Sequence, residues 1–542
     1  MTPRESHMEQ LNCDVLVLGA GAAGLRAAVE AAQEGLGVLV LCKGSPGAGT
    51  STILSGGVFR GTLGAASPEA HMESTLEAGR GLNDPALVRA LVEDSGRRLQ
   101  ELLDWGLPAE VRGGFLFTLG QAPVWGKPIV DCLLRRATAQ GVVLMGSMLV
   151  AKILSRLGAM AVLAYDQRRG RWLGIKCKAM VLATGGAGAL YLRHDNPQRM
   201  LGEGYALALE AGATLQDMEF VQFYPVGLAE PGLPPFLIPP RLADKGALTN
   251  GRGEDLLEKY GILERPAAER ARDKLSQAMF AEMSRGEELW LDLRSVTEEQ
   301  WLGDPLSASC RELLRGRYGA GDSPLRVAPM AHFMMGGVRV DLDGSTGVQG
   351  LFCAGEAAGG LHGANRLGGN ALAEAVVFGA RTGEAAALWA KDAGKTFPDR
   401  ELDDSLRGII GNGKKPPLAL KELLRSLKAR MWRQVGIPRN GEGLREAMAE
   451  VEKTIAEVDR TGMPGDPRQA GLWIELGLAA RTAGLVLEAA WRRQESRGAH
   501  FREDFPRQED PEWLGHIVVS KDERGQARWE FRPLNPRGEA AE

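Results

Sequence analysis

The stretch "CDVLVLGAGAAGLRAAVEAAQEGLGVLVLC", residues 13–42, constrains this chain most. It reads as an apolar strand, a glycine turn, a helix and a second apolar strand. Gly19, Gly21 and Gly24 spell GxGxxG, with Ala20, Ala22 and Ala23 between them. The first glycine permits a tight turn, the second lets backbone approach a pyrophosphate, and the third lets helix and strand pack closely. The helix start then offers free N–H groups to phosphate. A parallel sheet that binds a dinucleotide is the expected result. The acid that usually holds a ribose about 20 residues on is missing. The second strand ends instead in Cys42–Lys43, which weakens a nicotinamide reading.

Glycine is abundant, 71 of 542 residues, about twice the usual share. It clusters again in "GSPGAGTSTILSGGVFRG", where Gly56 and Gly57 would let backbone lie against a flat ligand. A later strand, "AMVLAT", ends in Thr184 and Gly185, a second glycine turn suited to a nucleotide-binding sheet. Residues 68–150 read mostly as amphipathic helices and 150–178 as short strands. Residues 240–325 are richer in charge, with "ELWLDLRSV" as a strand, and read as an insertion. The first pattern resumes at "GLFCAGEAAGG", with Glu356 after its strand. Beyond about 400 three segments carry apolar residues at helical spacing, and the tail reads as a hairpin around Arg524–Gly525.

Charge is nearly balanced, 65 Lys+Arg against 69 Asp+Glu, with no basic block, so nucleic acid is not an expected partner. The six cysteines show no CxxC spacing. Reduced thiols are expected, with no metal site, no CxxCH haem attachment and no iron–sulfur ligation by this chain. The N-terminus lacks the apolar core of a signal peptide, and no apolar run reaches the ~20 residues of a membrane span. A cytoplasmic chain is expected, or one held at a membrane through a partner.

Together, "GAGAAGLRAA", "ATGGAGALY", "GEGYALALEAGATLQDMEFVQFYPVG", "APMAHFMMGGVRVD", "LFCAGEAAGGLHGANRLGGNALAEAVVFG" and "ESRGAHFREDFP" resemble the flavoprotein subunit of succinate dehydrogenase and fumarate reductase. L-aspartate oxidase is a close cousin, and the tail favours the succinate/fumarate branch. The resemblance implies an α/β fold: a Rossmann-like FAD-binding domain (9–238 and 345–400), an inserted α+β capping domain (239–344) and a C-terminal helical domain with a terminal β-hairpin (401–542). It implies FAD, a small carboxylate substrate, hydride transfer between flavin and a carbon next to a carboxylate, and electron exchange with a separate iron–sulfur subunit. Alternatives are an L-aspartate-oxidase-like enzyme and an electron-transfer flavoprotein subunit without its own carbon substrate.

By the same resemblance Gly19 to Gly24 meet the pyrophosphate. Lys43 matches a family lysine after the second strand, and Glu203 stands where an Asp is usual. Glu356 bonds the ribitol or ribose region, and Ala371 and Leu372 lie near the isoalloxazine. Thr50 occupies the position of the histidine that ties FAD covalently in respiratory members, so non-covalent FAD is expected. His332 and Arg366 match the substrate histidine and arginine, and Tyr224 replaces a second histidine. The loop "LIPPRLADKGA" aligns with LITEALRGEGA, which places the family's proton-donating arginine on Ala243. If the loop is extended, Arg241 lies on the same face as Ala243, and Arg241 or Lys245 becomes the replacement donor.

Overall fold

Strand Val15–Leu18 buries all four of its side chains because it lies third of five in a parallel sheet. Its neighbours are Ala179–Leu182 on one side and Val38–Leu41 on the other, with Leu351–Cys353 and Val143–Met145 at the edges. Continuous VLVL runs belong in such a sheet, since helices cover both faces. The computed structural model describes residues 8–64, 66–394, 396–410 and 419–534. Most of the polar N-terminal stretch, and residues 65, 395, 411–418 and 535–542 of the expected domains, lie outside the described residues.

Helix Ala22–Gln33 is almost entirely buried, which its alanines and glycine allow. Helix Asn370–Asp392 crosses it closely. A Cβ on Gly379 would lie 2.7 Å from the Ala23 carbonyl oxygen, and one on Gly383 2.5 Å from that of Ala27. This contact fixes where the first turn of each helix sits, and both turns face the same cleft.

A four-stranded antiparallel sheet roofs the cleft, in the order Val221–Leu228, Leu325–Met334, Leu289–Asp292, Ala247–Asn250. Strand Val221–Leu228, before the expected insertion, pairs with Leu325–Met334 inside it, so the two share this sheet. At the other end, strand Gly337–Arg339 joins a different sheet, with Leu215–Gln216 and the terminal hairpin Gly515–Lys521/Ala527–Pro533. A further sheet, with strand Glu9–Asn12 parallel to Arg171–Cys177, holds the short strands expected over 150–178.

The C-terminal part carries helices Leu420–Gln434, Gly441–Thr461 and Pro467–Arg492. Helix Pro467–Arg492 is long and apolar enough, by length and composition, to cross a membrane. Its apolarity has a local cause: 78% of the apolar window is buried inside the protein. All six cysteines are free thiols, four of them buried.

Candidate functional site

The cofactor-facing cleft is assembled from chain turns. Gly19 (φ +117°) ends the first strand, and Gly21 caps helix Ala22–Gln33 without a side-chain bond. The first N–H groups of a helix have no intrahelical partner. Here Ala22 N–H donates to Thr52 Oγ1 (3.0 Å). Thr184 and Gly185 (φ +75°) follow the adjacent strand, and Thr184 Oγ1 is buried with no hydrogen-bond partner. Lys43 Nζ donates to Glu203 Oε1 at 2.6 Å and also to the Arg199 carbonyl, beside the start of helix Glu203–Glu210. Gly56 faces open space and Gly57 (φ +65°) packs on the Trp125 carbonyl. Ala371 and Leu372 lie in the first turn of helix Asn370–Asp392. Thr50 caps helix Ser51–Leu54, its side chain accepting from Ile53 N–H.

Glu356 Oε1 accepts from Met334 N–H (3.1 Å). Burial raises its carboxyl from 4.5 to about 7, against the lowering effect of that bond and of Arg366. A folded value above the unfolded one gives stability that is complete below the unfolded value and lost as pH rises through the folded one. The apoprotein should thus lose stability between about pH 5 and 8 on this account. Glu356→Gln should flatten that fall, read from melting temperatures of the two apoproteins across the range.

Deeper in the cleft, three elements bring two cations and a histidine together. His332 comes from strand Leu325–Met334, Arg366 from the turn before helix Asn370–Asp392, and Arg272 from helix Arg272–Ser284. Arg366 Nη2 lies 2.9 Å from His332 Nε2, and His332 Nδ1 lies 2.7 Å from Asp195 Oδ2. A guanidinium can only donate, so Nε2 accepts and the ring proton sits on Nδ1, given to Asp195. Burial lowers the His332 pKa despite Asp195, consistent with a neutral ring. Asn196 Nδ2 holds the arrangement by donating to Asp195 Oδ1 (2.9 Å) and to the His332 carbonyl (3.0 Å).

Arg366 is pushed down to about 9, first by burial and then by the charge of Arg272. Its Nε is buried with no hydrogen-bond partner. Arg272 is likewise lowered by burial. Its Nε donates to the Ala268 carbonyl (3.1 Å) and Nη1 to Gln222 Oε1 (3.2 Å). Its Nη2 makes no hydrogen bond among the described residues and points to Gly368, 3.8 Å from where a Cβ would stand there. The Tyr224 ring lies between these groups, its centroid 5.8 Å from that of His332 and 5.4 Å from Arg272 Cζ. Two buried guanidiniums, Arg272 lowering Arg366 while Glu356, Glu374 and Asp195 offset part of that effect, make a place for an anion.

Arg241 and Lys245 do not join this cluster. The loop is not extended: Pro240–Ala243 form a helical turn that Pro240 opens, and both side chains are exposed. About 100° per residue turns Leu242 and Ala243 into the core and Arg241 away from it. Asp244 faces neighbouring backbone, accepting from Ala267 N–H (2.9 Å). Arg272, Asp195 and Gln222 were not among the residues singled out from sequence. The one available signal was Arg272 on the face of its helix that carries Leu275, Ala278 and Met279, a charge on an apolar stripe.

Comparison with known proteins matches residues 14–372 to an FAD binding domain family and residues 424–539 to the fumarate reductase flavoprotein C-terminal family. The chain belongs to the fumarate reductase/succinate dehydrogenase family of flavoproteins. It is an FAD-dependent oxidoreductase with the mixed α/β fold of that family. It is 32% identical to one of the subunits of the CoM/CoB fumarate reductase of Methanothermobacter marburgensis, over 95% of this chain and 98% of that one. It is also 32% identical to L-aspartate oxidase of a Nostoc species, over 94% and 93% of the two chains. Among solved structures, Escherichia coli quinol fumarate reductase superposes with a TM-score of 0.86 at 29% identity, covering 97% of each chain. The flavoprotein's own residues fit FAD: the Gly19–Gly24 turn opens helix Ala22–Gln33 with no side-chain cap at Gly21, Thr184 Oγ1 is buried without a partner, and the Gly56 face is open.

Proposed function

We propose that this flavoprotein moves a hydride between FAD and a carbon next to a carboxylate, with the carboxylate held by Arg366, which His332 Nε2 positions. The pair of buried guanidiniums, Arg366 depressed to about 9 beside Arg272, carries the reading. An anion in that gap relieves a cost the protein already bears. FAD, when bound, supplies the hydride chemistry. The Gly19–Gly24 turn, Lys43, Thr184, Gly185, Glu203, Glu356, Ala371 and Leu372 would hold it. Burial keeps His332 neutral, and Asp195 orients the ring by accepting the hydrogen bond from Nδ1. Arg272 serves as proton donor, since Nη2 is its uncommitted N–H group and points to the Gly368 strip beside Ala371. The other donors round the cleft are engaged: the His332 proton with Asp195, and the Tyr224 hydroxyl with the Ile238 carbonyl (2.6 Å).

The chain is read as an FAD-binding domain over 9–238 and 345–400, a cap over 239–344 and a C-terminal domain over 401–542, the cap sheet borrowing strand Val221–Leu228. A separate iron–sulfur protein exchanges electrons with it, since among the described residues no His, Cys, Asp and Glu are grouped as metal ligands. FAD is held without a covalent bond, Thr50 being committed to its helix cap. Acid precipitation should therefore release all flavin into the supernatant. In anaerobic mixing, α,β-unsaturated acids should reoxidise the reduced flavin and their saturated counterparts should not. A flavin that stays reduced with every unsaturated acid tried would end this reading.

A further inference from the structure

Arg366, His332 with Asp195, and Arg272 gather around one end, and beyond the Tyr224 ring the described side chains packed with it are apolar. Tyr224, Ile238, Leu242, Ala243, Phe236 and Trp125 belong to one buried apolar cluster. The polar handles in it are already bonded. Tyr224 Oη donates to the Ile238 carbonyl, and Trp125 Nε1 donates to Ser309 Oγ (2.6 Å). Trp125 stacks 5.3 Å from Phe236, and its carbonyl packs against Gly57, so this wall borders the open Gly56–Gly57 strip. The charges of the covering loop, Arg241, Asp244 and Lys245, face solvent or neighbouring backbone.

A substrate held by one carboxylate at Arg366 extends its far end toward that wall. A second carboxylate there would lose its water and find no donor. We infer that the substrate is an α,β-unsaturated monocarboxylate bearing an apolar β-substituent, in the range from methyl to aryl. This inference rests on the activity proposed above. In the step, the alkene π bond breaks and a C–H bond forms at each carbon. The two electrons and one hydrogen arrive as hydride from reduced FAD, which ends oxidised. The second proton comes from Arg272 and is returned from solvent. An external electron donor reduces the flavin again.

The test uses the FAD-loaded protein, reduced anaerobically and freed of excess reductant. It is mixed rapidly with crotonate, cinnamate or fumarate while flavin absorbance is followed. Crotonate or cinnamate should reoxidise the flavin at least about tenfold faster than fumarate, the size of effect expected when a polar group is buried without a partner. Fumarate as fast or faster would overturn the inference and leave the proposed activity standing. If none of the three reoxidises the flavin, both fall together. Binding gives an independent reading without turnover. Butyrate or 3-phenylpropanoate should perturb the oxidised flavin spectrum at concentrations about tenfold below those succinate needs, and equal affinities would refute the inference. Tyr224→Phe should keep the preference, and Tyr224→His, which places a donor on the wall, should narrow it. A preference lost in Tyr224→Phe would also count against the apolar wall.

Discussion

Arg272→Lys is expected to slow flavin reoxidation by an unsaturated acid by about 10²–10⁴, the range for losing a positioned proton donor, while the protein still purifies with full FAD. The guanidinium occupies three directions at once. Nε is held by the Ala268 carbonyl, Nη1 by Gln222, and Nη2 remains for the ligand. A lysine ammonium is one point charge on a flexible stem and cannot hold two anchors while presenting a third N–H to the Gly368 strip. The charge survives in this variant, so a large loss reports geometry rather than electrostatics alone. The loop offers the control. Arg241→Ala and Lys245→Ala should each leave the rate within about twofold, as substitutions at exposed positions usually do. A collapse of the rate in either loop variant, with Arg272→Lys near wild type, would return the donor to the loop and sink the present assignment.

That contrast shows which parts of the site the sequence could reveal. The turn at Gly19–Gly24 was legible because its chemistry is local: strand, turn and helix lie within about twenty residues, and apolar runs flank the glycines. His332 and Arg366 were legible because glycine-rich segments surround them, and the structure brings them within 2.9 Å. Arg272 was not. It lies among Arg265, Arg270 and Lys274 in a charge-rich stretch, and nothing local says which of these turns inward. Only packing against Tyr224 and Gln222, residues about 50 positions away, decides it. Asp195 is similar: its meaning comes from His332, 137 residues along the chain. The loop misled for a physical reason. The shared face of Arg241 and Ala243 held only for an extended loop, whereas a proline at the first position of a helical turn favours that turn, which reverses the faces of alternate residues. Helix Pro467–Arg492 differs again, because its apolar surface answers to the neighbouring helices and sheet, and sequence-run counting does not see that burial.

Gly19→Ala should cost about 2–4 kcal/mol of stability, from strain and overpacking together, and abolish FAD retention. At φ +117° an added Cβ would stand 2.1 Å from the Ala183 carbonyl oxygen, 2.7 Å from its carbon and 3.3 Å from Thr184 N. Those atoms end the neighbouring strand of the parallel sheet, so relief requires two central strands to part where they bury Val15–Leu18 and Ala179–Leu182. The same movement pulls the turn away from Thr184 and from the helix N–H groups. Gly21→Ala separates the two effects. Gly21 has ordinary extended backbone, and its Cβ would meet only Thr52 Oγ1 at 3.4 Å, normal van der Waals contact. The apoprotein should therefore melt close to wild type. If FAD binds as proposed, its pyrophosphate approaches this turn, so a methyl group there should weaken FAD binding by about tenfold or more through steric exclusion. Melting temperatures of the two apoproteins, with FAD content after gel filtration, give the comparison. If Gly21→Ala keeps its FAD like wild type, the pyrophosphate does not lie against this turn, and the cofactor must enter the cleft along another face.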